Sequence, residues 1–215
     1  MHDLTFTVES AAPLMFAAAP LLAFQLRVAC TDVEERIESI ALHCQIQLEV
    51  TRRHYAPEEQ ARLLGLFGDP ERWNQTLRTM LWTHANVTVP SFTGSTVVDL
   101  PVPCTYDFNL AATKYFYGLE EGDVPLCLLF SGTIFYRDTN GAMRIGQIPW
   151  EKEATFRLPI AVWRAMMDHY YPNTAWLDLP QDVFDRLYEY KSRNGIPTWE
   201  QVIARLLTEA EAMQR

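Results

Sequence analysis

A chain of 215 residues is long enough for one large domain or for a domain with an appendage, and it can bury a sizeable core. Its hydrophobic content of 48% and its aromatic content of 12% exclude an intrinsically disordered protein. The net charge of −9, without any run of Lys and Arg, disfavours binding to nucleic acid or to anionic lipid through bulk charge. We therefore expect a folded protein that binds neither nucleic acid nor a membrane.

The apolar segment 11–24 is the one stretch that resembles a targeting signal. The residues before it include Asp3 and Glu9 but no Lys or Arg, and the segment is too short to span a bilayer. The chain has four cysteines, Cys30, Cys44, Cys104 and Cys127. They form no C-x-x-C pair and lie among aliphatic residues, a pattern typical of buried thiols in a reducing compartment, although counting alone leaves two disulfides open. We expect a cytoplasmic protein.

Residues 1–158 carry the period-two alternation of β-strands. The clearest strand has inward-facing Ile40, Leu42, Cys44, Ile46, Leu48 and Val50. Further strands are predicted at 4–8, 22–28, 82–89, 95–102, 106–116 and 154–158. The segment 124–148 contains two such runs around Asn140-Gly141, a dipeptide that favours a tight hairpin. Cys127 in the first run is expected to pack beneath the helices that follow Pro159.

Apolar residues recur at helical spacing in two regions of the chain. Residues 57–77 form an insertion of two short helices, in which Pro57, Glu58 and Glu59 occupy a first turn with solvent-facing acids. Three more helices are expected to begin near residues 160, 180 and 199.

Many short strands followed by helices predict an α+β, mainly β fold. We expect an antiparallel β-sandwich, or a partly open barrel, with a helical insertion and a C-terminal helical cap. In domain terms, residues 1–158 form the sandwich, and residues 159–215 form a cap that packs on it as one cooperative unit.

Signatures of known chemistry are missing. There is no dinucleotide or phosphate loop, nucleophile elbow, zinc-protease helix or calcium loop. A composite metal site from His54, His84 and a carboxylate is a weaker hypothesis than surface histidines. We therefore predict no catalytic, cofactor-binding or metal-binding residues and no cofactor.

The most suggestive surface signal is the aromatic segment 170–176, at the end of a predicted helix. Tyr170, Tyr171 and Trp176 are of the type enriched at protein interfaces, so they are a candidate partner surface. The alternative is that they pack the helical cap onto the sandwich.

Four segments carry a resemblance to a known family: LTFTVESAAPLMF (4–16), RHYAPEEQARLLGLFG (53–68), IPWEKEATFRLP (148–159) and IPTWEQVIARLL (196–207). The chain resembles an uncharacterised bacterial, actinobacterial-type family encoded beside uptake [NiFe]-hydrogenase genes. The resemblance implies an accessory or assembly role near hydrogenase maturation, with a hydrogenase subunit or maturation factor as partner. It supplies no catalytic residues.

Two functional hypotheses follow. The first is a non-enzymatic interaction or assembly factor that binds a protein partner through an exposed sheet edge or the aromatic helix end. The second is a small-molecule or metal carrier with a pocket between the sandwich and the cap, lined by a strand over residues 106–117. An exposed strand edge leaves a homodimer open.

Overall fold

The structure is a computed structural model, and it describes residues 3–31, 36–105, 110–138, 140–174, 177 and 179–213. The strands are β1 (Leu4–Pro13), β2 (Leu21–Cys30), β3 (Arg36–Leu48), β4 (Met80–Val89), β5 (Phe92–Thr93), β6 (Ser95–Pro103), β7 (Asp123–Arg137), β8 (Met143–Gln147) and β9 (Glu153–Pro159). The helices are α1 (Pro57–Phe67), α2 (Trp73–Thr76), α3 (Leu110–Gly118), α4 (Ile160–Tyr170), α5 (Gln181–Arg193) and α6 (Trp199–Met213).

The strands form two antiparallel sheets that pack face to face. The smaller sheet has the order β1-β2-β6, and the larger has the order β4-β3-β7-β8, with β5 also paired to β3 and β9 to β7. Aromatic rings join the inner faces: Phe6 stacks on Phe130 with ring centroids 4.3 Å apart, and Phe24 lies 5.5 Å from Phe156. Among the described strands neither sheet closes on itself, so the predicted α+β sandwich is confirmed and the barrel alternative is not.

The period-two pattern identifies the inner faces correctly. In β3, Ile40, Leu42, Cys44, Ile46 and Leu48 are all buried. The hairpin of β7 and β8 is also confirmed, and its turn uses Gly141 at φ +79°. Burying this face against the opposite sheet is the main source of stability, because each large aliphatic side chain contributes about 1.5–3 kcal/mol when removed from water.

The predicted position of Cys127 is wrong. Its side chain is half-exposed on the outer face of the larger sheet, with Sγ 4.0 Å from a carboxylate oxygen of Glu153. Helix α4 packs mainly on β1, β2 and β9. Apolar residues occur on both faces of β7, but the outer face at Cys127 is not fully covered.

The helical insertion at 57–77 is confirmed, whereas the predicted strand over 106–116 is wrong. Residues 106–109 lie outside the described part of the chain, and residues 110–118 form α3. The buried residues of this segment recur at helical spacing: Ala112, Tyr115, Phe116 and Leu119. Phe116 stacks on Trp163 of α4 at 4.9 Å and lies 4.9 Å from Trp82 of β4, so α3 and α4 extend the core of the sandwich.

The chain divides into two compact units, Met1–Pro172 and Asn173–Arg215. Helix α4 therefore belongs to the first unit, although the predicted cap begins at residue 159. In the second unit α5 and α6 pack on each other, and the rings of Phe184 and Trp199 are 5.2 Å apart. No helix in the described residues is long and apolar enough to cross a membrane.

Candidate functional site

Two of the three residues predicted as a partner surface lie at the end of α4. Tyr170 and Tyr171 are half-buried and pack against the core of the first unit. Trp176 lies outside the described residues. The two tyrosines are therefore not a free aromatic patch, and their contacts decide what they do.

Tyr170 holds the loop between β1 and β2. Its hydroxyl oxygen accepts a hydrogen bond from the backbone N–H of Ala17 at 3.0 Å. The same oxygen lies 2.7 Å from the carbonyl oxygen of Leu14 and 3.0 Å from that of Ala17, and the hydroxyl proton is donated to one of them. His169 Nε2 donates to the carbonyl oxygen of Met15 at 3.0 Å, since a carbonyl can only accept.

The loop that α4 fixes carries exposed apolar side chains. We call residues 14–17 the Phe16 loop. Leu14 and Met15 are each 41% exposed, and the side chain of Phe16 is fully exposed. A backbone held by neighbouring side chains presents a large aromatic ring to solvent, where it forfeits about 1.5–3 kcal/mol of burial energy. Such a pre-organised apolar anchor is typical of binding surfaces.

The sequence analysis missed the Phe16 loop, because residues 14–17 lie between the predicted strands 4–8 and 22–28 and were considered only as part of an apolar segment that resembles a targeting signal. The available signal was the run Leu14-Met15-Phe16 between Pro13 and Pro20. Three consecutive apolar residues in a segment punctuated by prolines have no strand or helix in which to bury a common face.

A second polar cluster surrounds the start of α1, where Arg53 and Glu59 form a buried ion pair. Arg53 Nη2 lies 2.7 Å from Glu59 Oε1, and the two side chains are only 8% and 4% exposed. The guanidinium also donates to the carbonyl oxygens of Glu121, at 2.5 Å, and Asp123, at 2.6 Å. Arg53 thereby ties the segment before α1 to the start of β7.

Glu59 was predicted to face solvent, and this is wrong, although Glu58 beside it is exposed. Glu59 Oε1 accepts from the backbone N–H of Glu120 at 2.8 Å, and Oε2 accepts from that of Ala56 at 3.2 Å. Burial opposes ionisation of Glu59, but these two backbone donors and Arg53 outweigh it and lower its pKa. A carboxylate with three donors can be buried, whereas an unpaired one cannot.

Tyr55 and Tyr115 continue this cluster into the core. Their hydroxyl oxygens are 3.1 Å apart, and Tyr55 donates to the carbonyl oxygen of Val50 at 2.7 Å. Burial raises the pKa of Tyr55, and burial likewise raises the pKa of Tyr115 to about 12. Both phenols are therefore neutral at physiological pH and serve as hydrogen-bonding groups.

A depression of about 370 Å³ opens beside this cluster, between the segment before α1 and helix α2. Its lining includes Tyr55, Trp73 and Leu77 as apolar members. Its polar members are Thr51, Arg53, His54, Gln60 and Asn74. An aromatic surface and several polar side chains converge there.

Among the described residues, His43, His84 and His169 do not join His54. His84 lies on the outer face of β4, opposite Gln45 of β3, and His43 Nδ1 lies 2.6 Å from Asn86 Oδ1. The described residues contain no group of three His, Cys, Asp or Glu side chains placed to hold a metal ion. None of the four cysteines forms a disulfide bond within the described residues.

The carrier hypothesis placed its pocket along a strand over residues 106–117. Because residues 110–118 form α3, and because Tyr115 and Phe116 are fully buried, that pocket wall does not exist as predicted. The depression beside α2 is not lined by residues 110–117, so it is not the predicted pocket.

Sequence comparison assigns the chain to a family. The model of the family of unknown function DUF6084 matches residues 1–215. The chain is a member of DUF6084. No curated protein matches this DUF6084 member significantly.

Solved structures add no functional information about this DUF6084 member. A β-glucosidase from Kluyveromyces marxianus is 8% identical with a TM-score of 0.26, and the match covers 73% of this chain and 15% of that chain. The putative ApaA protein from Bordetella pertussis is 14% identical with a TM-score of 0.25, covering 73% of this chain and 93% of that chain. The chain thus spans a small part of the glucosidase, and both scores are too low to carry an argument.

Proposed function

We propose that this protein is a non-enzymatic assembly or accessory factor that binds a protein partner through the Phe16 loop and the adjoining end of α4. The observation that carries the proposal is the full exposure of Phe16 on a backbone that Tyr170 and His169 hold in place. The loop loses little conformational entropy on binding, because its backbone is already fixed.

The exposed side chains define the partner's chemistry. Leu14, Met15 and Phe16 form an apolar projection without a charged side chain. A complementary partner offers an apolar pocket wide enough for one aromatic ring, with polar groups around it that pair with the loop's remaining backbone groups. The role of Tyr170 is then to position the loop and not to contact the partner.

The resemblance to a hydrogenase-linked family suggests the identity of the partner. We propose a [NiFe]-hydrogenase subunit or a hydrogenase maturation factor. We also infer a cytoplasmic location, since four cysteines that form no disulfide among the described residues, three of them buried, are in keeping with a reducing compartment.

Site-specific photo-crosslinking in the native host tests this function. A photoreactive phenylalanine analogue is placed at residue 16 and, as a matched control, at Trp150, whose side chain is 89% exposed elsewhere on the first unit. We expect a crosslink from residue 16, absent from residue 150, to a hydrogenase subunit or maturation factor identified by mass spectrometry.

The affinity of the identified pair then gives a quantitative check. Phe16→Ser is expected to weaken binding by at least about 2 kcal/mol, roughly 30-fold, without lowering the melting temperature. Trp150→Ser should leave the affinity unchanged. Equal crosslinking from both positions, or equal affinities of the two variants, would contradict the proposal.

A further inference from the structure

We infer that the depression beside α2 binds a small, uncharged, planar molecule with an amide-like edge. This inference concerns a surface other than the Phe16 loop and does not depend on the proposed function. The volume of about 370 Å³ lies at the lower end of the range for small-molecule sites and fits one substituted ring.

The apolar part of the lining suits the face of a ring. Tyr55, Trp73 and Leu77 are half-buried or buried, so they form the inner part of the depression. The rings of Tyr55 and Trp73 meet edge to face with centroids 5.3 Å apart. Both are fixed by hydrogen bonds, from Tyr55 to Val50 and from Trp73 Nε1 to the carbonyl oxygen of Gly68 at 3.0 Å. The aromatic surface is therefore present before a ligand arrives.

The polar part of the lining offers both donors and acceptors. Thr51, His54 and Asn74 are exposed at the mouth, and within the described part of the chain their side chains make no hydrogen bond. Gln60 donates through Nε2 to the carbonyl oxygen of Tyr55 at 3.0 Å, which leaves Oε1 as an acceptor. An amide edge, with a donor and an acceptor side by side, matches these groups.

The charge of the lining argues against an anion. Arg53 is its permanently charged member, but Glu59 neutralises the guanidinium, and both Nη atoms already donate to the protein. Two of its five N–H groups remain, one on Nη1 and one on Nε, and the Nε group is buried beyond the reach of solvent. A carboxylate entering the depression would lose its hydration without gaining a free cation.

Titration of the full-length, isotope-labelled protein by NMR tests the inference with three probes. Benzamide carries the ring and the amide, benzoate replaces the amide with a charge, and acetamide lacks the ring. We expect benzamide to shift backbone amides within residues 51–60 and 73–77 with a Kd on the order of 1 mM, as befits a nine-atom ligand. Benzoate and acetamide should bind at least about fivefold more weakly.

Matched substitutions locate the binding. Asn74→Ala and His54→Ala should each weaken benzamide binding about fivefold, the usual value of one lost hydrogen bond. Asn86→Ala and His84→Ala, exposed residues of the same types on β4, should not change it. Because all four positions are exposed, the variants should fold, and their spectra will verify this.

Three results would overturn the inference. The first is the lack of saturable shifts up to about 20 mM benzamide, well above the affinity expected for its size. The second is binding of benzoate as tight as that of benzamide. The third is an equal effect of the Asn74 and Asn86 substitutions.

Discussion

The hydroxyl oxygen of Tyr170, at the end of α4, lies 2.7 Å from the carbonyl oxygen of Leu14, in the loop between β1 and β2. These residues are 156 positions apart in the chain. The contact joins the last helix of the first unit to its first hairpin, and it holds the segment on which Phe16 is exposed. Tyr170 therefore supports the Phe16 loop from outside, although the loop itself contains no tyrosine.

Removal of that hydroxyl should loosen the Phe16 loop. We expect Tyr170→Phe to cost about 1–2 kcal/mol of unfolding free energy, because Ala17 N–H and Leu14 C=O lose a partner. Hydrogen exchange at the Ala17 amide should become faster. Tyr188→Phe is the control, since this exposed hydroxyl makes no hydrogen bond within the described residues. Unchanged exchange at Ala17 in the Tyr170 variant would show that the loop is held by other contacts.

The Arg53–Glu59 pair should be essential for folding stability. Glu59→Gln leaves the guanidinium buried without its counter-charge, so we expect a loss of about 3 kcal/mol or more in chemical denaturation. The control is Glu189→Gln, which removes an ion pair to Arg193 whose side chains are 65% and 78% exposed. That change should stay within about 0.5 kcal/mol. Similar effects of both substitutions would mean that solvent compensates the charge of Arg53 in the variant.

The contribution of Glu59 should also depend on pH. Its pKa in the folded protein is lowered from the usual 4.5, so the unfolded state binds the proton more readily. The stabilisation is therefore fully present above pH 4.5 and is lost as the pH falls through the folded-state pKa. We expect the difference in unfolding free energy between the wild type and Glu59→Gln to shrink at acidic pH. A difference that is constant from pH 7 to acid conditions would contradict the assigned shift.

The fold was largely predictable because it follows from hydrophobic periodicity. The predicted strand 40–50 and helix 160–170 each show one clear period, and the structure confirms the helix and the strand as far as Leu48, after which Val50 begins a 3-10 turn. The prediction of a strand over residues 106–116 was wrong because the aromatic residues of this segment mimic a strand pattern. Contact with Trp82 and Trp163 instead favours a helix, which buries Tyr115 and Phe116 together. Tertiary packing decides such short segments.

The candidate sites were much less predictable, because they depend on which distant segments meet and on which side chains those contacts leave exposed. The position of Glu59 in a first helical turn predicts a solvent-exposed carboxylate. Its burial becomes favourable only because Arg53 and the backbone of Glu120 lie next to it. Phe16 is fully exposed whereas Phe24 is buried, and composition contains no information about which apolar residue is left exposed.

The close approach of β3 and β7 at Gly132 gives a final prediction. Gly132 adopts φ +148°, and a Cβ atom added there would lie 2.1 Å from the carbonyl oxygen of Ala41 in β3. Because backbone atoms cannot move aside without breaking the pairing, Gly132→Ala should cost about 3 kcal/mol or more. Gly65→Ala in α1, where no atom lies within 4 Å of the added Cβ, should instead stabilise the protein by about 0.5–1 kcal/mol. Melting temperatures that move in opposite directions would verify both; a neutral Gly132→Ala would mean that the strands can separate locally at no cost.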